Sequence, residues 1–285
     1  FMNTKGITLT EFDTVFRLEG AVRSPGLDIE LHEVIEDRSF ASVASLPFGA
    51  SMARRLKALE GEPVPVDGPM RVMMPPRVTA AIFALLAPHF TLKALQEESS
   101  FLAQARQGGA AFDTKVHLLD DGRVTGALRT TSFDDRGVSP VPLTLIRDGV
   151  VSASYKGLVE ARQRNQRASG HRRGEDLHPT NLLVRGGTRT MNALLSEQSG
   201  LVLRLDHIRG LQRGLDIETG EIKVEASGVL FHGRQKVIGV VPMVRLTGNL
   251  VNVLRSVVEL ASDTDRFGHV DAPGMMVDGF TCKSR

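Results

Sequence analysis

EIKVEASGVLF, residues 221–231, is followed by His232-Gly233-Arg234 and then by VIGVVPMVRL, residues 237–246. In the first segment Ile222, Val224 and Ala226 alternate with Glu221, Lys223 and Glu225. A period of two sets apolar side chains on one face of a strand and charged ones on the other. The short glycine-containing turn joins two such strands, so sheet dominates this part of the chain.

On the C-terminal side, Leu250 to Ala261 has the spacing of an amphipathic helix, and Met275 to Phe280 reads as a closing strand. On the N-terminal side, Leu201 to Leu205 and Leu182 to Val184 are strand-like, with a helix expected over Thr188 to Gln198. Lys115 to Ser154 reads as strand-rich, with hairpin-type turns at Asp121-Gly122 and Asp148-Gly149. Pro75-Pro76 opens a helix over Val78 to Ala87, because proline is tolerated in a first helical turn, and Pro88 stops it. The strand Met70 to Met74 precedes this helix, and a second short helix is expected around Leu92 to Gln104.

Further forward, Ser45 to Leu59 is helical, with Met52, Leu56 and Leu59 on one stripe. Ile7 to Val22 and Leu27 to Ile35 are extended, with a turn at Pro25-Gly26 between them. Gly61, Pro63, Pro65 and Gly68 mark Glu60 to Gly68 as a linker. The fold class expected is therefore α+β, mostly antiparallel sheet with a few packed helices. Residues 1–62 form one region and 67–285 a larger one.

A net charge of +2 supplies no field to recruit nucleic acid or an anionic membrane. Tyr155 is the single tyrosine and tryptophan is absent, so a base-stacking surface is not expected. Cys282 is the one cysteine, which excludes an internal disulfide and points to a reducing, cytoplasmic setting. No apolar run has bilayer length, and the start lacks the pattern of a signal peptide. Phe1-Met2 runs directly into strand-like sequence, as in a chain without its front.

Each candidate for chemistry has a plainer competitor. His32-Glu33 lacks a second histidine one turn later and lies in strand-like sequence, so a zinc helix is not expected there. His171 and His178 flank Glu175 and Asp176 in a charged loop, which offers metal-ligand types without a diagnostic spacing. Arg162, Arg164, Arg167, Arg172 and Arg173 form the basic cluster, suited to a phosphate, a peptide carboxylate or an acidic partner. Gly186-Gly187 follows a strand but opens no phosphate loop, and no nucleophile elbow occurs. Cys282 is a poor candidate nucleophile. No catalytic residue is assigned, and peptide or partner contact is expected at His171, Arg172, Arg173, His178 and Arg185.

Several segments, taken in order, resemble the TldD/PmbA family. Asn3-Thr4-Lys5-Gly6 is similar to the stretch that opens the family's middle region, and Met70 to Leu86 to the strand and helix opening its C-terminal region. Ser99-Ser100-Phe101-Leu102 resembles Lys-Ser-Ser-Phe-Leu. Ser132-Phe133-Asp134-Asp135-Arg136-Gly137 resembles Pro-Phe-Asp-x-Glu-Gly. Ile146-Arg147-Asp148-Gly149, followed by Tyr155, resembles Ile-Lys-Asp-Gly with its tyrosine. Leu246-Thr247-Gly248-Asn249-Leu250 resembles the segment before the family's last long helix.

The resemblance implies a PmbA/TldD-like C-terminal domain over 67–285 and a middle region over 1–62, with the family's usual N-terminal domain absent. TldD-type subunits carry His-Glu-x-x-x-His on the helix after the first C-terminal strand, supplying zinc ligands and a general base. TldE/PmbA-type subunits lack it and pair with a TldD-type chain. Here Val78 to Ala87 contains neither histidine nor carboxylate, and His89 follows Pro88. Gly268-His269-Val270-Asp271 stands where the TldD-type cysteine ligand would be.

The resemblance thus implies a non-catalytic TldE/PmbA-like subunit of a zinc metallopeptidase complex that processes or degrades unfolded or modified leader peptides. The chain is expected to hold no cofactor and to be inactive alone, with zinc in a TldD-like partner. The expected partners are that zinc subunit or a second copy of the chain, and a peptide; nucleic acid and membrane are not expected. The competing expectation is a homodimeric peptide-binding or scaffold protein. A third is an enzyme that uses the His171 to His178 loop.

Overall fold

A computed structural model describes residues 1–24, 29–96, 100–106 and 109–284. In chain order come β1 (Phe16–Ser24), β2 (Ile29–Asp37), α1 (Phe40–Ala44), α2 (Phe48–Ala58), β3 (Asp67–Met74), α3 (Pro76–Leu86) and α4 (Phe101–Arg106). Next are β4 (Leu118–Asp120), β5 (Leu143–Arg147), β6 (Val150–Val151), α5 (Leu158–Gln163), β7 (Arg172–Arg173), β8 (Asp176–Leu177) and β9 (Leu182–Val184). The last third holds α6 (Met191–Ser196), β10 (Leu201–Arg209), α7 (Leu211–Gly214), β11 (Glu221–His232), β12 (Lys236–Asn249), α8 (Leu250–Arg255), β13 (Val257–Phe267) and β14 (Val270–Ser284). The fold is α+β.

The quoted hairpin is β11 and β12, in antiparallel register from Glu221↔Asn249 to His232↔Lys236. Its turn sits one residue later than the sequence suggests, because Arg234 and Gln235 take positive φ values of 50° and 62°. Pro242 falls at the register shift between Ala226 and Gly228, where its missing N–H interrupts no regular ladder. Around this hairpin the main sheet runs β12-β11-β10-β3-β14-β9-β4-β5-β6. β12 also pairs with β14, which closes β3, β10, β11, β12 and β14 into a ring. Pairing is mostly antiparallel; β3 with β10 and β9 with β14 are parallel.

β1 and β2 form a separate hairpin. Beneath it Met52 and Leu59 of the α2 segment meet buried Leu31, with Leu56 packed alongside. This satellite core is tied to the main body through Glu33, whose carboxylate receives Arg55 at 2.7 Å and Arg77 at 2.9 Å. Arg55 also donates to the carbonyl of Asp206.

α3 begins at Pro76, as the double proline requires, and buries Val78, Thr79, Ala80, Ile82, Phe83 and Leu86. Burying a residue such as Ile82 or Phe83 stabilises by about 1.5–3 kcal/mol relative to exposure. Leu85 on the same helix is only half-buried.

Other expectations need correction. The helix expected over Leu250 to Ala261 ends at Arg255 and gives way to β13, whose Val257 pairs with Val277 and Leu260 with Met275. Val257 and Val258 are β-branched and favour the strand, and β14 offers a ladder that a longer helix would forgo. Asp121-Gly122 makes no hairpin: Asp120 pairs with Leu143 across a long excursion. Between Lys115 and Ser154 the strands are only β4, β5 and β6. Asp148-Gly149 does turn the chain from β5 to β6, with φ of 48° and 80°. The helix expected over Leu92 to Gln104 reduces to α4, while the Pro25-Gly26 turn and Ser99 lie outside the described residues.

Candidate functional site

β4 ends on Asp120, which is fully buried. A carboxylate so placed is tolerated only where donors surround it. Tyr155 Oη donates to Oδ2 at 2.6 Å. The Thr180 backbone N–H reaches both oxygens at 3.0 and 3.2 Å, and its hydroxyl donates to Oδ1. Tyr155 is itself fully buried. Burial, then the negative charge of Asp120, holds its phenol well above the usual tyrosine range, so it stays a neutral donor.

His171 completes this cluster, its ring 4.9 Å from that of Tyr155. Nδ1 lies 2.7 Å from the carbonyl of Ser169, which can only accept, so Nδ1 carries a hydrogen. Nε2 faces Asp120 Oδ1 at 3.5 Å and has no hydrogen-bond partner among the described residues. Arg129 sits nearby, half-buried and donating to the carbonyl of Pro179. Burial and then the charge of Arg173 lower its pKa, while Asp120 acts in the opposite direction.

Outside this hub β7 and β8 make a small hairpin, Arg172 opposite Leu177 and Arg173 opposite Asp176. The 132–137 loop clamps it. Asp134 Oδ1 accepts the N–H groups of Arg136 at 2.9 Å and Val138 at 3.0 Å, and its Oδ2 accepts that of Arg172 at 3.0 Å. Asp135 accepts the N–H of Gly174 at 2.6 Å. Beside the hairpin lies an open cavity of about 510 Å³, walled by Arg136, Arg172, Leu158, Val159 and Ala168. Leu158 and Val159 are 51% and 70% exposed, an apolar lip next to two guanidinium groups.

The residues singled out in the sequence therefore do different things. His171 is buried in the hub, whereas His178 is exposed and only its backbone N–H is engaged, by the carbonyl of His171. The two imidazoles do not converge on one point. Among the described residues no group of three His, Cys, Asp or Glu side chains is placed to hold a metal ion. Arg172 borders the cavity, Arg173 is exposed on the hairpin, and Arg185 pairs with Asp148 at 3.0 Å at the end of β9. Arg162, Arg164 and Arg167 are exposed around the end of α5.

The remaining candidates are structural. His32 pairs with Glu19 at 2.8 Å on the β1–β2 hairpin, and Glu33 turns to Arg55 and Arg77. Gly186-Gly187 lets the chain press against β13: a Cβ on Gly187 would lie 1.9 Å from the Leu260 carbonyl oxygen. Cys282 is buried. Asp120, Thr180 and Arg129 escaped sequence reasoning. Asp120 follows Leu118-Leu119 and precedes Asp121-Gly122, so it looks like an exposed turn residue until β9 is laid beside β4.

A family model described as the PmbA/TldA metallopeptidase C-terminal domain matches residues 67–284. The mixed sheet with α3 packed on it is thus the C-terminal fold of that metallopeptidase class, and the chain belongs to the PmbA/TldD family. An uncharacterized protein of Methanocaldococcus jannaschii is 21% identical over 98% of this chain and 65% of its own length. A metalloprotease of the same organism is 21% identical over 62% of this chain and 39% of its own.

Among solved structures, a Thermotoga maritima protein described as a candidate modulator of a DNA gyrase superposes with TM-score 0.79 at 20% identity, over 94% of this chain and 62% of that one. TldE from Thermococcus kodakarensis gives TM-score 0.73 at 17% identity, over 95% and 62%. The chain spans less than two thirds of the length of these relatives. No helix among the described residues is long and apolar enough to cross a membrane.

Proposed function

We propose that this chain is the non-catalytic, TldE/PmbA-like partner in a cytoplasmic zinc peptidase complex that handles unfolded or modified leader peptides. The observation that carries this reading is the residue content of α3. The helix that follows the first C-terminal strand buries Val78, Thr79, Ala80, Ile82, Phe83 and Leu86, and Arg77 is its only charged residue. A zinc helix of the His-Glu-x-x-x-His kind needs imidazoles and a general base there. The likeness in fold to TldE from Thermococcus kodakarensis supports the same reading. In this proposal zinc belongs to a TldD-like subunit, and this chain contributes wall and peptide contacts to a shared chamber.

The test is co-expression with a TldD-like protein of the same genome that carries His-Glu-x-x-x-His. A stable complex is expected, with peptidase activity that requires both chains and is abolished by a zinc chelator. If the chains do not associate, and the zinc protein cleaves peptides equally well alone, the proposal is wrong.

One observation favours a second reading, a homodimeric peptide-binding or scaffold protein. Met2, Phe12 and Phe40 in the N-terminal region of the chain are 75%, 92% and 65% exposed, and Phe40 stacks edge-on against Phe16, itself exposed. A dimer of this chain that persists in the presence of the zinc protein would favour that alternative.

A further inference from the structure

The cavity beside β7 and β8 is lined by two guanidinium groups, Arg136 and Arg172, by two carboxylates, Asp134 and Glu160, and by an exposed apolar wall. Its acidic neighbours are already engaged. Asp134 accepts three backbone N–H groups, Asp135 accepts that of Gly174, and Glu160 accepts that of Gly157 at 2.7 Å. Among the described residues none of these carboxylates makes an ion pair with the arginines around it. The side chains of Arg162, Arg164 and Arg167 make no hydrogen bond or ion pair among the described residues.

At the mouth, Arg136 and Arg172 share one acidic residue, Glu175. They approach it at 3.8 and 3.7 Å, beyond hydrogen-bond distance, and Glu175 is 87% exposed. An ion pair so exposed contributes little, and its carboxylate is easily displaced. Arg172 is more enclosed, its side chain 27% exposed, and its backbone N–H is fixed by Asp134. A part-enclosed guanidinium on a backbone fixed by Asp134, with only a loose ion pair to Glu175, is suited to a planar carboxylate. Leu158 and Val159 offer an apolar side chain somewhere to lie on the other wall.

We propose that this cavity binds the free C-terminal carboxylate of a peptide whose last residue is apolar, with Arg136 and Arg172 taking the carboxylate in place of Glu175. The site deepens, and rests on, the reading of the chain as a peptide-handling subunit. Leu158 and Val159 receive the terminal side chain, and the exposed arginines beyond α5 raise the local concentration of anionic peptides.

The test uses the purified chain and a fluorescent peptide ending in leucine with a free carboxylate, compared by anisotropy with the same peptide amidated at its C-terminus. The amide should bind about tenfold more weakly, the loss expected for one charge-assisted hydrogen bond. Arg172→Gln and Arg136→Gln should each bring the acid form down to the level of the amide. Glu175→Gln, at an exposed position that cannot disturb folding, should strengthen the acid form by roughly two- to fivefold and leave the amide unchanged.

Equal binding of acid and amide overturns the proposal, as does indifference to all three substitutions. So does preferential binding of a single-stranded oligonucleotide, which would make the cluster a phosphate site. Failure here leaves the subunit reading intact if the complex with the zinc protein still forms. Carboxylate-dependent binding without any such complex would sink the subunit reading and keep the pocket.

Discussion

His269 and His207 show how far this molecule bends single titratable groups to its packing. His269 precedes the first residue of β14, and its Nε2 is buried without a hydrogen-bond partner among the described residues. Burial and then the positive charge of Arg129 push its pKa down to about 3; Asp120 pulls the other way, and Arg173 adds a smaller push downward. His207 on β10 is pushed down to about 4 by burial and by Arg209, Arg55 and Arg77, with Glu33 opposing. In the unfolded chain both would titrate near ~6.5. As pH falls below that value, the unfolded state takes up protons that the native state refuses until pH 4 or 3. Stability is therefore fully present above about pH 6.5 and is lost progressively as the solution is acidified towards the folded pKa values. The window from pH 6.5 to 5 reports the histidines whose pKa burial lowers, His89 and His117 as well as these two, because ordinary carboxylates titrate below it. The urea midpoint should fall between pH 7 and pH 5, and His269→Gln or His207→Gln should flatten that fall. A midpoint independent of pH over this range, or equal slopes in wild type and both variants, would show that the two rings are not held neutral by the fold.

β13 is the element in which local pattern and final structure part most clearly. Leu250, Val251, Val253 and Leu254 carry helical spacing and are buried in α8, capped by Asn249 through its side-chain oxygen to the N–H groups of Val251 and Asn252. Leu260 and Ala261 continue that spacing in sequence, yet they lie in a strand. Their partners, Met275 on β14 and the 187–189 segment, come from distant parts of the chain, and no window on the sequence contains them. By contrast, the β11–β12 hairpin, the α2 stripe and the proline-bounded α3 were legible, since turn, period and cap are local signals. The same distinction governs the candidate site. Arg172 and the basic cluster could be read from composition, but the Asp120 hub required β9, β4 and Tyr155 to meet. Gly187 makes the dependence on distant packing measurable. The chain at Gly187 donates its N–H to the Ala261 carbonyl at 2.9 Å, and any Cβ would collide with the Leu260 carbonyl oxygen. Backbone cannot yield as a side-chain end can, so Gly187→Ala should destabilise by about 2–4 kcal/mol, at or above the upper part of the range for overpacking. Gly200→Ala, at a position with open space around it, is the control and should stay within about 1 kcal/mol. A Gly187→Ala protein as stable as that control would mean the 186–189 segment is not held against β13.

At the scale of the whole molecule, the ring of β3, β10, β11, β12 and β14 makes the C-terminal strand a keystone rather than an edge. β14 pairs with β3, β9, β12 and β13, so its removal would open the main sheet on several sides at once. Cys282 lies in this strand, opposite Leu246 on β12 and Gly68 on β3, and is 1% exposed. Burial, then the negative charge of Asp67, pushes its thiol up to about 11. Thiol reagents attack the thiolate, so both inaccessibility and the raised pKa protect it in the folded state. Cys282 is paired on both sides, so a reagent reaches it only when this part of β14 leaves β12 and β3. The single cysteine therefore reads out opening of the closed ring itself. In native buffer at pH 8 its alkylation should be at least about a thousandfold slower than in the unfolded chain, the minimum for a domain of ordinary stability. Across a denaturant series, labelling should rise with the same midpoint as the loss of far-ultraviolet circular dichroism. Rapid stoichiometric labelling of the native protein, or a labelling midpoint well below the spectroscopic one, would show that β14 detaches before the rest unfolds. The ring would then be a weak closure, with the hairpin β11–β12 left to hold the sheet by itself.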